Sequence, residues 1–256
     1  MAAYVQDSIM LLGDSLTQGG YEFNGFAAQL AHVYNRKMDV VNRGFSGYNT
    51  DWILPVFDQL FATKEQQQHL PKVRLLVIWF GANDAALPVR DQHVPLERYK
   101  ANLAHLVAAV RSPDSPRHSP DTRIVLMTAP PVNTHQWGVR QAERGNVMDR
   151  DFETTRAYAT AAKELGAAEG VPVVDLWTTI YDAAGREEAA LKKFMTDGLH
   201  LNRDGYQIVF DELIKTIAEN YPEYHYENLK FVFVTFDLIC EDLKNYQEIL
   251  QKRSAF

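Results

Sequence analysis

Four short segments of the chain hold the residue types that acyl transfer needs. They are Gly13-Asp14-Ser15-Leu16-Thr17, Asn42-Arg43-Gly44-Phe45-Ser46-Gly47, Gly81-Ala82-Asn83-Asp84 and, far downstream, Asp197-Gly198-Leu199-His200. Ser15 supplies a hydroxyl, a weak nucleophile until a base removes its proton. His200 is the natural base, since an ordinary histidine titrates at about pH 6.5. Asp197, three residues earlier, can lie on the same side of one turn and accept the other imidazole N–H, fixing the tautomer. The amide of Asn83 and the backbone N–H groups of Ser15 and Gly44 can point at a developing oxyanion. Glycine at 44 lets the backbone approach a substrate closely. Together these residues describe a serine esterase that works through an acyl-enzyme.

Neighbouring residues invite other readings. Asp14 adjoins Ser15 too closely to orient His200, so it is expected to hydrogen-bond the loop backbone, as Asp does in turns. Asp84 is expected to be a structural partner beside Asn83. Residues 44–48 nearly spell G-x-S-x-G, but Tyr48 stands in the last place. Ser46 is therefore rejected as the nucleophile. His32 and His105 fall within helical patterns and read as surface or boundary residues. His135 and Trp137 lie in a long connection, 130–150, where they are expected to line a substrate pocket. Core packing is the simpler reading of Trp52. The chain has no phosphate loop, no H-E-x-x-H and no G-x-G-x-x-G with an acidic partner, so no cofactor and no metal are expected.

Four blocks in this order resemble the SGNH, or GDSL-type, hydrolase family. Over about residues 5–220 the resemblance implies Ser15 as nucleophile, Gly44 and Asn83 in the oxyanion hole, and Asp197 with His200 as the remaining triad. It also implies a flavodoxin-like sheet and metal-free hydrolysis of esters or thioesters. The strings Arg43-Gly44-Phe45-Ser46-Gly47-Tyr48, Phe80-Gly81-Ala82-Asn83-Asp84-Ala85 and Thr196-Asp197-Gly198-Leu199-His200-Leu201 are similar to the fungal isoamyl acetate-hydrolysing esterase branch, as is Tyr221-Pro222-Glu223-Tyr224-His225. That branch implies acetate-type esters of small or medium alcohols. Acetylated sugars or glycans are the alternative on the same framework, and a non-catalytic flavodoxin-like binding module is the remote one.

Positioning such residues requires elements that end at one place. Short apolar runs recur at 9–12, 40–41, 73–80, 123–127 and 171–176. Their continuous hydrophobicity suits strands covered on both faces, as in a parallel sheet. Between them lie helical patterns. Asn24 is a candidate cap before Phe26, Pro95 opens the next pattern after strand three, and Asn202 precedes Tyr206, Val209, Leu213 and Ile217. The run from Trp52 to Phe61 has helical period, but Pro55 either kinks that helix or marks its start. Residues 111–121 read as a solvated loop, and 130–150 show no clear helical period. Alternating strands and helices predict a three-layer α/β sandwich with a five-stranded parallel sheet, whose ligands bind beyond the carboxyl ends of the strands.

The composition is that of an ordinary folded protein, with 46% hydrophobic residues over 256 positions. The single cysteine, Cys240, excludes an internal disulfide framework. With 26 Lys+Arg against 33 Asp+Glu, the net charge of −7 disfavours nucleic acid or an anionic membrane as partner. A small ester is the expected partner. No transmembrane run is present, and residues 1–7 lack the basic region of a signal sequence, so a cytoplasmic location is expected. Residues 1–220 are expected to form the hydrolase domain and 221–256 an extension. That extension carries Phe231, Val232, Phe233, Val234, Phe236, Leu238 and Ile239. Its expected place is on its own domain, across a homodimer, or as a wall of the active site.

Overall fold

The computed structural model describes residues 6–256; part of the N-terminal stretch read for a signal sequence, residues 1–5, lies outside them. Five strands, β1 (Ser8–Gly13), β2 (Asp39–Gly44), β3 (Val73–Trp79), β4 (Arg123–Met127) and β5 (Val173–Val174), form one sheet in the order β2-β1-β3-β4-β5. Every pairing is parallel. The helices are α1 (Ser15–Gln18), α2 (Phe26–Val33), α3 (Thr50–Leu60), α4 (Leu96–Arg111), α5 (Thr134–Glu143), α6 (Phe152–Glu169), α7 (Leu176–Ala183), α8 (Arg203–Asn220), α9 (Phe236–Glu241) and α10 (Tyr246–Ile249). No helix among the described residues is long and apolar enough to cross a membrane.

Alternation along the strands divides the core into two layers. Ile9, Leu11, Leu75, Val77 and Trp79 face Phe26 and Leu30 of α2 and Val209, Leu213 and Ile217 of α8. Met10, Leu12, Leu76, Ile78 and Phe80 face Ile53 and Phe57 of α3, Leu103, Leu106 and Val110 of α4, and Leu165 of α6. Because both faces are covered, the strands carry the unbroken apolar runs seen in the sequence.

Several local expectations needed correction. Asn24 does not cap α2: it sits at φ 59, and Gly25 holds the cap position. The fifth strand is only two residues long, because Pro172 lacks an N–H for the ladder and Asp175 turns the chain at once by capping α7 at Thr178 N. Helix α3 starts at Thr50, where Asn49 accepts from Trp52 N at 2.9 Å, and runs through Pro55. Pro55 is exposed, so the carbonyl it leaves unbonded lies on the solvent side. Trp52 is 41% exposed and is not a core residue. Helix α5 stands inside the connection read as irregular. Its buried stripe is only Trp137 and Gln141, too thin and too polar to give an apolar period. Asn202 does cap α8, accepting from Asp204 N and Gly205 N.

The extension packs on its own chain around the turn from α2 to β2. Arg36 O accepts from Val232 N at 2.9 Å, and the Arg36 guanidinium donates to Phe233 O at 3.0 Å and Val234 O at 2.7 Å. Leu229, Val232 and Val234 are buried, whereas Phe236 and Leu243 remain exposed. This turn lies at the amino end of β2, opposite the strand ends that carry the chemical residues. The extension therefore does not wall the active site. Truncation after Tyr221 is expected to lower the melting temperature, since each buried aliphatic side chain is worth roughly 1.5–3 kcal/mol. Calorimetry of the truncated and full chains checks this, and the mass in solution reads the dimer expectation.

Candidate active site

Ser15 is separated from β1 only by Asp14 and is the first residue of α1. Asp14 caps that short helix, its Oδ1 accepting from Leu16 N at 2.9 Å, as the sequence suggested. At this position the Ser15 N–H has no partner within the helix. Residues 195–201 form a narrow loop closed by an antiparallel bridge between Met195 and Leu201 and by Thr196 N donating to His200 O at 2.8 Å. Within it, Asp197 Oδ1 accepts from Leu199 N at 3.0 Å and His200 N at 2.8 Å. The local hydrogen bonds thus fix the carboxylate before the imidazole reaches it.

The side chains meet in a row. Ser15 Oγ lies 2.9 Å from His200 Nε2, and His200 Nδ1 lies 2.8 Å from Asp197 Oδ2. Although burial pushes the Asp197 carboxyl up, its hydrogen bonds to the His200 ring and backbone outweigh that and hold it at about 2. Arg140 Nη1 adds an ion pair to Asp197 Oδ2 at 3.2 Å. Asp197 is therefore anionic at any working pH. A cleft of about 600 Å³ opens over the row, lined by Ser15, Gln18, Tyr21, Glu22, Ser46, Arg140, Thr196, His200, Leu201 and Tyr206 among others.

The oxyanion side departs from the sequence reading at Gly44. Its N–H donates to Asn42 Oδ1 at 2.9 Å and is not free. Glycine is needed there for another reason: a Cβ would collide with the Gln18 backbone of α1. Gly47 has the free donor instead. Among the described residues its N–H has no protein partner, and its φ of +84 suits only glycine comfortably. Its carbonyl accepts from Gln92 Nε2 at 2.9 Å, and the same Nε2 donates to Asn83 Oδ1 at 3.1 Å. Asn83 Nδ2 donates to Tyr48 O at 2.9 Å, which leaves its second N–H available.

His135 and Trp137 do not line the cleft. Residue 135 faces solvent on α5, while Trp137 turns inward. The Trp137 indole donates to Asp149 Oδ1 at 2.7 Å, and its ring meets the edge of His200 at 6.4 Å. One helical step further on the same face, Arg140 is the residue of α5 that reaches the cleft. Nothing in the sequence pattern singled out Arg140, Gln92 or Arg150, and Gly47 stood in the segment 42–47 without a role of its own.

Two buried carboxyls stand beneath the serine. Asp84 Oδ1 accepts from Thr50 N at 2.9 Å and Thr50 Oγ1 at 2.5 Å, the structural role expected of it. Burial raises Asp14 to about 7, with Asp84 adding to the rise, and burial raises Asp84 to about 6 against its Thr50 hydrogen bonds. Among the described residues, neither Asp14 Oδ2 nor Asp84 Oδ2 has a hydrogen-bond partner. A carboxyl raised on folding keeps its proton where the unfolded chain has lost it, so stability falls as pH climbs from about 4 to 7. Asp197, lowered on folding, acts oppositely and loses its contribution as pH falls from about 4 to 2. Melting temperature is expected to drop by about 5 °C or more between pH 4.5 and 7.5. Asp14→Asn, which can still accept from Leu16 N, should flatten that slope in thermal scans; an unchanged slope would refute the buried pair as its source.

The parallel three-layer α/β domain thus carries Ser15, His200 and Asp197 in a row beyond its strand ends. The chain belongs to the GDSL-like lipase/acylhydrolase family, which is matched over residues 11–208, and it is a carboxylic ester hydrolase. It is 35% identical over 207 residues to the isoamyl acetate-hydrolyzing esterase 1 homolog of Bos taurus, covering 80% of this chain and 79% of that protein. Its fold matches the crystal structure of the lipase/acylhydrolase from Enterococcus faecalis at a TM-score of 0.61 and 22% identity, over 83% of this chain and 96% of the other. The acetylxylan esterase Axe2 of Geobacillus stearothermophilus matches at 0.59 and 18% identity, over 85% and 96%.

Proposed function

We propose that the enzyme hydrolyses short-chain, acetate-type esters of small or medium alcohols through a Ser15–His200–Asp197 triad. The observation that carries the triad is the unbroken row of 2.9 and 2.8 Å contacts from Ser15 Oγ to Asp197 Oδ2, and the ester class is supported by the likeness to the isoamyl acetate-hydrolyzing esterase 1 homolog. Ser15 Oγ attacks the ester carbonyl as His200 Nε2 takes its proton, and the carbonyl electron pair moves to oxygen. That oxyanion rests on the N–H groups of Ser15, Gly47 and Asn83. His200 then gives the proton to the departing alcohol as the ester C–O bond breaks, leaving acyl-Ser15. Water, deprotonated by the same ring, attacks the acyl carbon, and Ser15 leaves with the proton to release the acid.

The test of the oxyanion side is Asn83→Ala, expected to lower kcat by about 10²–10³. The contact strengthens as charge develops, so KM should change little. A large rise in KM at unchanged kcat would mean that Asn83 binds substrate instead.

A second reading follows from the cleft wall. Gln18, Glu22, Ser46, Arg140 and Thr196 outnumber the apolar residues there. Such a wall suits a hydroxyl-rich alcohol, as in an acetylated sugar, better than a bare alkyl chain, because polar wall groups left unpaired carry a cost. Hydrolysis rates on matched acetates of isoamyl alcohol and of a monosaccharide decide between the two.

A further inference from the structure

Arg150 is the most deeply buried cation near the site, its side chain only 2% exposed. Its Nη2 donates to Asn83 Oδ1 at 3.2 Å and to Gln92 Oε1 at 3.4 Å, and its Nε donates to Ala82 O at 3.0 Å. Its charge is balanced by Asp149, whose Oδ1 lies 3.3 Å from Nη1. Burial presses its pKa downward while Asp149 holds it up. Arg90 pairs with the other Asp149 oxygen at 2.7 Å, so the carboxylate has a second cation.

Hydrogen-bond chemistry gives this cluster a direction. An amide can in principle sit either way round, exchanging oxygen for NH₂. Gln92, an amide itself, could follow such an exchange. A guanidinium has donors only, so Arg150 cannot. It forces the oxygens of both Asn83 and Gln92 toward itself. The Asn83 NH₂ must then face Tyr48 O and the reaction side, and the Gln92 NH₂ must face Gly47 O. A positive charge on Asn83 Oδ1 also draws electron density from the amide nitrogen, making Nδ2–H a stronger donor.

We propose that Arg150 is the positioning residue of the oxyanion hole. Its guanidinium orients the Asn83 amide directly and the Gly47 segment through Gln92. The inference rests on the serine-esterase reading with Asn83 as an oxyanion donor. It extends that reading to a residue that never touches substrate.

The experiment is a double-mutant cycle in the full chain, with kcat and KM measured for Arg150→Met, Asn83→Ala and the pair. Arg150→Met should lower kcat by about 10–100-fold, the scale for losing an outer orienting partner, with KM nearly unchanged. In the Asn83→Ala background most of that loss should vanish, because the group through which Arg150 acts is gone. Arg150→Lys keeps the charge beside Asp149 but cannot span three acceptors, so it should stay impaired. A merely structural role would lower the melting temperature and leave the two kcat losses additive. Additive losses, or full kcat in a folded Arg150→Met protein, overturn the proposal. If the Arg150 variants do not fold, half-buried Gln92→Met decides: a kcat loss that disappears with Asn83→Ala supports the network, and wild-type kcat overturns it. Wild-type kcat in Asn83→Ala alone would instead defeat the underlying oxyanion assignment.

Discussion

Ser15→Ala is expected to give a folded protein with ester hydrolysis reduced on the order of 10⁶-fold in kcat, the scale for losing a serine nucleophile. Only a hydroxyl at this position can form the acyl-enzyme, and Ser15 Oγ, 2.9 Å away, is the hydroxyl from which His200 Nε2 can take a proton. The fold should be untouched. The turn is held by Asp14 accepting from Leu16 N and by Tyr206 OH donating to Leu16 O at 2.8 Å, and neither contact uses the serine side chain. Loss of fluorophosphonate labelling, with an unchanged melting temperature, accompanies the kinetic result. Ser46 also lines the cleft, and its N–H is held by Gln18 Oε1 at 2.9 Å, but among the described residues its hydroxyl has no base contact. Ser46→Ala should therefore cost far less. Residual turnover near wild type in Ser15→Ala would sink the assignment.

What could be read from the sequence was set by range. The strands were legible because burial on both faces makes each one a continuous apolar run. Asp197 and His200 were legible as a pair because a three-residue separation closes locally. Their approach to Ser15 followed from parallel topology, which brings the strand ends together. Gly44 was misassigned because two glycines flank Phe45-Ser46, and residue types alone do not say which N–H is already bonded. Asn42, two residues before, takes the one at 44. Helix α5 was missed because its inward face is a tryptophan and a glutamine joined to Asp149 by hydrogen bonds, a polar interior with no periodic hydrophobic signal. Arg140 and Arg150 were missed for a different reason. A cation's partners are scattered through the chain, at 197 for the first and at 82, 83, 92 and 149 for the second.

Asp197→Asn should lower kcat by about 10⁴, the scale seen when the acid of such a triad becomes an amide. The direction follows from how the carboxylate is held. Two backbone donors, Leu199 N and His200 N, converge on Oδ1, so the amide oxygen of Asn must occupy that place. Its NH₂ then stands where Oδ2 was, facing His200 Nδ1. The ring answers a donor there with its lone pair, and its proton moves to Nε2. In that tautomer Nε2 cannot accept the Ser15 proton, although all three residues remain in place. The same NH₂ faces Arg140 Nη1, which loses its ion pair at 3.2 Å. Asp197→Asn keeps the turn hydrogen bonds and should fold normally. Asp197→Ala loses them as well and should add a fall in melting temperature to a similar kinetic defect. If Asp197→Asn instead retains activity within about tenfold of wild type, Asp197 serves only to build the turn, and the tautomer of His200 is set by something else.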